Sequence, residues 1–311
     1  MKKISVVVPI YNEEENVKEL HREICDICEQ EKYEYEIIFI DDGSKDRTGE
    51  SCKQLYPLKY IRLRRNFGQT SAMDAGIKAA QYDYIVTMDG DRQNDPADIP
   101  KMIAYLEEND LDVVSGWRKN RKDTVMKRLT SRGANILRGI IVKDHIHDSG
   151  CSLKVYKREC FRSISLYGEM HRFIPALLQI KGFNVGEIEV NHRPRTKGVT
   201  KYNWKRTFKG FVDMISVWFW NKYSTRPLHM MGCIGIISVF SGICCEVWPL
   251  IYALTGHKRE KNRLYPLLAI SFVITGVVFF VLGLMSDVLV KIYYGTQIEE
   301  PYCVAEKMDN Q

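Results

Sequence analysis

Two apolar stretches, roughly Leu228–Leu254 and Tyr265–Ile292, constrain this chain more than any other feature in it. A helix needs ~20 residues to cross a hydrocarbon core of about 30 Å, and each stretch is long enough. Glu246 and Asp287 are the only acids inside them. Asp287 stands near an end. Glu246 is expected to face the partner helix or a subunit interface, because an acid exposed to lipid is costly. Just upstream, Lys205–Tyr223 sets Phe208, Phe211, Val212, Ile215, Trp218 and Phe219 on one stripe. With its Trp and basic residues, that segment suits a helix lying in the membrane interface.

The first 115 residues read differently. Short apolar runs at Ile4–Val8, Tyr35–Ile40, Tyr60–Leu63 and Tyr84–Met88 have the character of buried strands. Between them, Glu14–Gln30, Thr48–Gln54, Gln69–Ala80 and Asp98–Glu108 carry helical patterns. This alternation predicts a parallel sheet with helices on both faces. Ligands of such sheets sit beyond the carboxyl ends of the strands, where the polar clusters of this sequence fall. Residues from about 116 to 204 are more basic and less regular.

The start, MKKISVVVPIYNEEE, is basic, but Pro9 and a run of acids break its apolar run, so it fails as a signal peptide. Nine cysteines without such a signal point to reduced thiols in the cytosol. Cys25 and Cys28 form a C-x-x-C, yet they share a helical stripe with Val17, Leu20, Ile24 and Ile27 and are expected to pack. His145 and His147 lack an evident third metal ligand and read as a polar loop. A formal net charge of +6 says only that an anionic partner is not repelled.

The chemistry is carried by acids at successive strand ends. Asp41-Asp42-Gly43-Ser44 closes the second predicted strand and Asp89-Gly90-Asp91-Arg92-Gln93 the fourth. A diphosphate leaving a sugar develops charge that a divalent cation neutralises. Mg²⁺ and Mn²⁺ prefer oxygen ligands, and two carboxylates one residue apart at a strand end can reach one ion together.

These motifs, with Pro9-Ile10-Tyr11-Asn12-Glu13 and Arg65-Asn66-Phe67-Gly68-Gln69, resemble the ordered motifs of glycosyltransferase family 2. The similarity is to the branch that builds polyprenyl-phosphate sugars. It continues through Gly116-Trp117-Arg118, Asp148-Ser149-Gly150-Cys151, Gly168-Glu169-Met170-His171-Arg172-Phe173 and the basic run Arg195–Tyr202, and so covers essentially the whole chain.

The resemblance implies an α/β, Rossmann-like GT-A domain and a set of roles. Pro9, Tyr11, Glu13, Asp41, Asp42 and Gln69 fall on the nucleotide side. Asp89, Asp91 and Gln93 would hold Mg²⁺ or Mn²⁺. Arg118, Arg132, Arg195 and Lys201 would grip the donor diphosphate and the acceptor phosphate, since the planar guanidinium fork suits phosphate oxygens. His171 is expected either to act in the acceptor pocket or to be structural. The implied organisation is a nucleotide-sugar half over 1–115, an acceptor half over 116–204, an amphipathic segment over 205–227, two spans over 228–292 and a cytoplasmic tail over 293–311.

The implied reaction is inverting transfer of a hexose, UDP-glucose first among donors, to a polyprenyl phosphate. GDP-mannose, UDP-N-acetylhexosamine and aminoarabinose-type donors are the alternatives. No nucleic-acid partner is expected, and the spans offer a surface for homo-oligomers. No Q-x-x-R-W element of the processive polysaccharide synthases is present. Lys258, Arg259, Lys261 and Arg263 in the loop between the spans would by charge alone favour a cytoplasmic loop. Nucleotide-sugar chemistry requires the opposite, so a multi-pass protein of the cell membrane with a cytoplasmic catalytic domain is expected.

Overall fold

A computed structural model describes residues 1–119, 146–194 apart from Ser163, Ser165, Tyr167 and Glu169, then Phe219, Lys222, Tyr223, 226–255 and 264–296. Arg132, Arg195, Lys201 and nearly all of the 205–227 segment lie outside the described residues. The chain separates into two compact units, one before Phe219 and one beginning there.

The first unit is built on β1 (Lys3–Ile10), which pairs in parallel with β2 (Glu34–Asp41) and with β4 (Tyr84–Thr87). Strand β3 (Lys59–Arg62) extends the parallel edge beside β2. Side chains on β1 alternate, as the pleat requires. Val6 and Val8 join one core cluster with α1 (Val17–Gln30) and α4 (Ile99–Glu108). Val7 joins a second, with α3 (Gln69–Ala79) and α5 (Ile174–Ile180). Helix α2 (Thr48–Cys52) is short. Both faces of the sheet are covered, which is why its strands are continuously apolar. Cys28 is buried on the α1 stripe and Cys25 packs half-buried against it, both as free thiols.

Three strands beyond residue 112 complete the sheet: β5 (Val113–Trp117), β6 (Lys154–Lys157) and β7 (Val185–Glu189). The order is β3-β2-β1-β4-β6-β5-β7. Strand β6 runs antiparallel to both β4 and β5, whereas β7 is parallel to β5. The carboxyl ends of β2, β4 and β5 therefore share one edge with the amino end of β6.

The second unit is a pair of helices, α6 (Pro227–Leu254) and α7 (Leu264–Thr296). Pro227–Ile251 and Leu264–Ile292 are long and apolar enough to cross a membrane, and only 17% of each defining window is buried. Ile237 and Trp248 are 65% and 72% exposed, the reverse of a soluble core helix. Small residues let the two backbones approach: a Cβ on Gly235 would lie 2.7 Å from the Gly276 carbonyl oxygen. Ser238 Oγ donates to the Phe272 carbonyl at 2.8 Å across the same seam. Glu246 is half-buried.

Candidate active site

The turn after β2 is made by two adjacent acids with different work. Asp41 has no exposed surface; it accepts from the Ser44 N–H at 2.7 Å and from the Tyr60 hydroxyl at 2.6 Å. Its carboxylate shapes the turn. Asp42 accepts from the backbone N–H groups of Phe67 at 2.7 Å and Gly68 at 2.9 Å. Gly43 has φ +73°, and a Cβ there would meet the Arg65 carbonyl carbon at 2.6 Å. Only glycine allows this contact between the two loops.

Gly68 opens α3, and Gln69 on its first turn donates from Nε2 to Asp89 Oδ1 at 2.6 Å. Asp42, Gly68, Gln69 and Asp89 thus form a chain of contacts joining the two acidic strand ends. Pro9 is buried within β1, and Tyr11 and Glu13 follow it half-buried. The loop that carries them is pinned by Asn12 N–H to Ser44 Oγ at 2.9 Å and Glu13 N–H to Thr48 Oγ1 at 2.9 Å.

Past the end of β4, Asp89, Asp91 and Gln93 are all half-buried at the shared edge. Gln93 N–H donates to Asp91 Oδ1 at 3.2 Å. Among the described residues, no group of three or more His, Cys, Asp or Glu is placed to hold a metal. Two carboxylates and an amide would supply part of an oxygen shell. That is the donor set suited to Mg²⁺ or Mn²⁺ when substrate phosphates and water complete it. The residues fit such an ion.

Arg92, between Asp91 and Gln93, has φ +61°, a conformation unfavourable for a non-glycine residue. Its guanidinium is tied to Glu23 at 2.5 Å and to Glu19 at 3.0 Å on α1. Arg193 also reaches Glu23, at 2.8 Å, and Asp95 at 2.7 Å. Its N–H donates to the Gln93 carbonyl at 2.9 Å, and His192 bridges Asn94. The chain leading toward Arg195 is thereby fastened to the 91–95 loop.

Arg118, just past β5, lies in a bidentate fork with Asp148, Nε to Oδ2 at 2.7 Å and Nη2 to Oδ1 at 3.0 Å. Burial opposes its charge, but the hydrogen bond and charge of Asp148 outweigh that and raise its pKa. Next to it, Trp117 stacks on His147 with centroids 4.6 Å apart, and His147 Nδ1 bonds Glu187 at 2.8 Å. His147 is thus in a polar loop, as expected, while His145 lies outside the described residues.

Lys154, at the start of β6, is 3% exposed. Burial pushes its pKa down to about 8, opposed by the carboxylates of Asp148 and Asp89. Lys154 and Arg193 are hinted at in the sequence only by closeness to motif residues, and Glu23 by nothing local, since the fold alone brings it to Arg92 and Arg193. His171 is buried, its Nδ1 at 2.7 Å from Thr70 Oγ1 on the first turn of α3.

The model of Glycosyl transferase family 2 matches residues 5–165, which includes both acidic strand ends. The chain belongs to that family. This family 2 glycosyltransferase is 37% identical over 321 residues to the dodecaprenyl-phosphate galacturonate synthase of Rhizobium johnstonii, covering 99% of this chain and 94% of the relative. In fold, the transferase resembles glucosyl-3-phosphoglycerate synthase from Mycobacterium tuberculosis, solved with Mn²⁺, UDP and phosphoglyceric acid. That match has a TM-score of 0.56 at 16% identity and covers 71% of this chain and 78% of the other. Mannosyl-3-phosphoglycerate synthase from Rubrobacter xylanophilus also has a TM-score of 0.56 at 16% identity, over 70% and 74% of the two chains. The mixed α/β sheet is the GT-A arrangement.

Proposed function

We propose that this glycosyltransferase moves a sugar from a nucleotide donor to a polyprenyl phosphate at the membrane surface. The observation that carries the reading is the likeness, over 99% of the chain, to a synthase named for a dodecaprenyl phosphate. An acidic strand-edge site and two bilayer-length apolar helices in one chain support it.

Tyr11, Glu13 and Asp42 take the nucleoside, with Gln69 aligning Asp89. Asp89, Asp91 and Gln93 hold Mg²⁺ or Mn²⁺, which supplies charge neutralisation for the departing diphosphate. Arg132, Arg195 and Lys201 serve the donor and acceptor phosphates. Arg118 is oriented by Asp148, with Nη1 left for a ligand.

A lipid monophosphate is ionised near neutral pH, so the nucleophile needs no strong general base. The residues' part is to position the acceptor oxygen behind the anomeric carbon and to stabilise developing charge. Displacement in line inverts that carbon. The helices span the cell membrane, with the catalytic unit cytoplasmic, and offer a homo-oligomer contact.

The donor is a UDP-sugar. UDP-glucose follows from the family resemblance, while the relative's name favours a galacturonate, which becomes the first donor to try. The test is transfer by purified membranes to undecaprenyl phosphate beside undecaprenol, with Mn²⁺. Use of the phosphate alone is expected, and equal use of the alcohol would remove the reading. Arg195→Ala and Lys201→Ala should each lower acceptor efficiency about ten- to a hundredfold, because each deletes one charge-assisted contact.

A further inference from the structure

We infer that Lys154 reads the sugar end of the donor and selects a sugar bearing a carboxylate, a hexuronic acid. The inference rests on the nucleotide-sugar reading above and adds the residue that would select among its donors.

Lys154 opens β6 opposite Thr87 on β4, two residues before Asp89. Its Nζ makes one hydrogen bond, to the Ser149 carbonyl oxygen at 3.3 Å. An ammonium has three N–H donors. Buried and so thinly served, it is costly unless an anion completes its shell.

Two carboxylates lie in its field, Asp148 and Asp89. Both oxygens of Asp148 receive the Arg118 fork, and Asp89 already accepts from Gln69 and is assigned above to the cation. Among the described residues, no carboxylate lies within ion-pairing distance of Lys154 Nζ. One positive charge is therefore left over at the floor of the site.

Strand order says what should meet it. Asp42, on the nucleoside side, follows β2; Asp89 and Asp91 follow β4; Lys154 begins β6, the next strand beyond β4. A donor laid along this edge from nucleoside to diphosphate brings its sugar over β6. A neutral hexose leaves the ammonium unsatisfied, whereas a carboxylate on C6 accepts its spare donors in charge-assisted hydrogen bonds.

The test is donor binding by the full chain in lipid nanodiscs with Mn²⁺, comparing UDP-galacturonate, UDP-galactose and UDP. The wild type should bind the uronate more tightly than the hexose. Lys154→Met should lower that ratio about ten- to a hundredfold, the loss of one charge-assisted contact. Lys154→Arg should restore part of it, and Lys154→Gln covers the case in which the Met variant fails to fold. A wild-type ratio near one overturns the inference. So does a variant that weakens UDP, hexose and uronate alike, which would put the ammonium on the diphosphate or in a purely structural role. Binding needs no acceptor, so failed transfer to undecaprenyl phosphate counts against the lipid reading alone.

Discussion

Glu23 on α1 grips Arg92 at 2.5 Å, and through it holds the residue between Asp91 and Gln93 in a backbone conformation that non-glycine residues rarely adopt. The same carboxylate receives Arg193 at 2.8 Å. One acid thus fixes both the 91–95 loop and the base of the segment that continues toward Arg195. Glu23→Ala should leave two part-buried guanidiniums short of a partner and cost about 1–3 kcal/mol of stability. It should also raise the Mn²⁺ concentration needed for half-maximal activity. Glu23→Gln, which keeps an acceptor oxygen, should shift both less. An unchanged Mn²⁺ curve in Glu23→Ala would show that the loop holds its shape without the clamp.

Asp91→Ala should abolish sugar transfer with little loss of thermal stability, since this half-buried carboxylate contributes little packing. EDTA should mimic the substitution in the wild type, and added Mn²⁺ or Mg²⁺ should reverse the chelator's effect. Full activity in chelator would sink the metal assignment.

Lys154 makes folding stability depend on pH in the alkaline range. Its folded value is about 8, against an ordinary 10.5. Between those values the unfolded chain binds a proton that the folded chain does not, so stability rises with pH across that window. It gains about 3 kcal/mol in all, and below pH 8 the full cost of burying the charge is present. The melting temperature of the wild type minus that of Lys154→Met, measured in detergent from neutral pH upward, should therefore increase. A flat difference would mean that the ammonium is better solvated than its burial indicates.

Gly235→Val places a side chain 2.7 Å from the Gly276 carbonyl oxygen and should force α6 and α7 apart. The expected cost is about 1–3 kcal/mol, read as a lower thermal midpoint in micelles. Ile237→Val, on an outward position 65% exposed, is the control and should change little.

The parallel half of the sheet was legible because β1, β2 and β4 are buried on both faces and so read as unbroken apolar runs. The acidic strand ends were legible for a related reason: Asp41, Asp42, Asp89 and Asp91 interrupt those runs abruptly. Strands β6 and β7 gave no such signal. Lys154 and Lys157 bound a four-residue strand, and Gly186, Glu187 and Glu189 dilute the other. Their pairing is decided by partners far along the chain. Spacing could not distinguish Asp41 from Asp42 either. Both are buried, and what separates them is the partner each meets, Tyr60 and Ser44 for Asp41, the Phe67 and Gly68 N–H groups for Asp42, which only the folded turn brings together.

The reversal of β6 has a consequence for how such proteins diversify. Chain leaving β5 and chain entering β6 sit at the same rim, so whatever lies between residues 118 and 154 is both launched and recovered there. Its length and content can change without rethreading the sheet or disturbing its parallel half. The scaffold therefore has a port for inserted sequence at the same rim as the acidic strand ends, open to editing in one excursion of the chain.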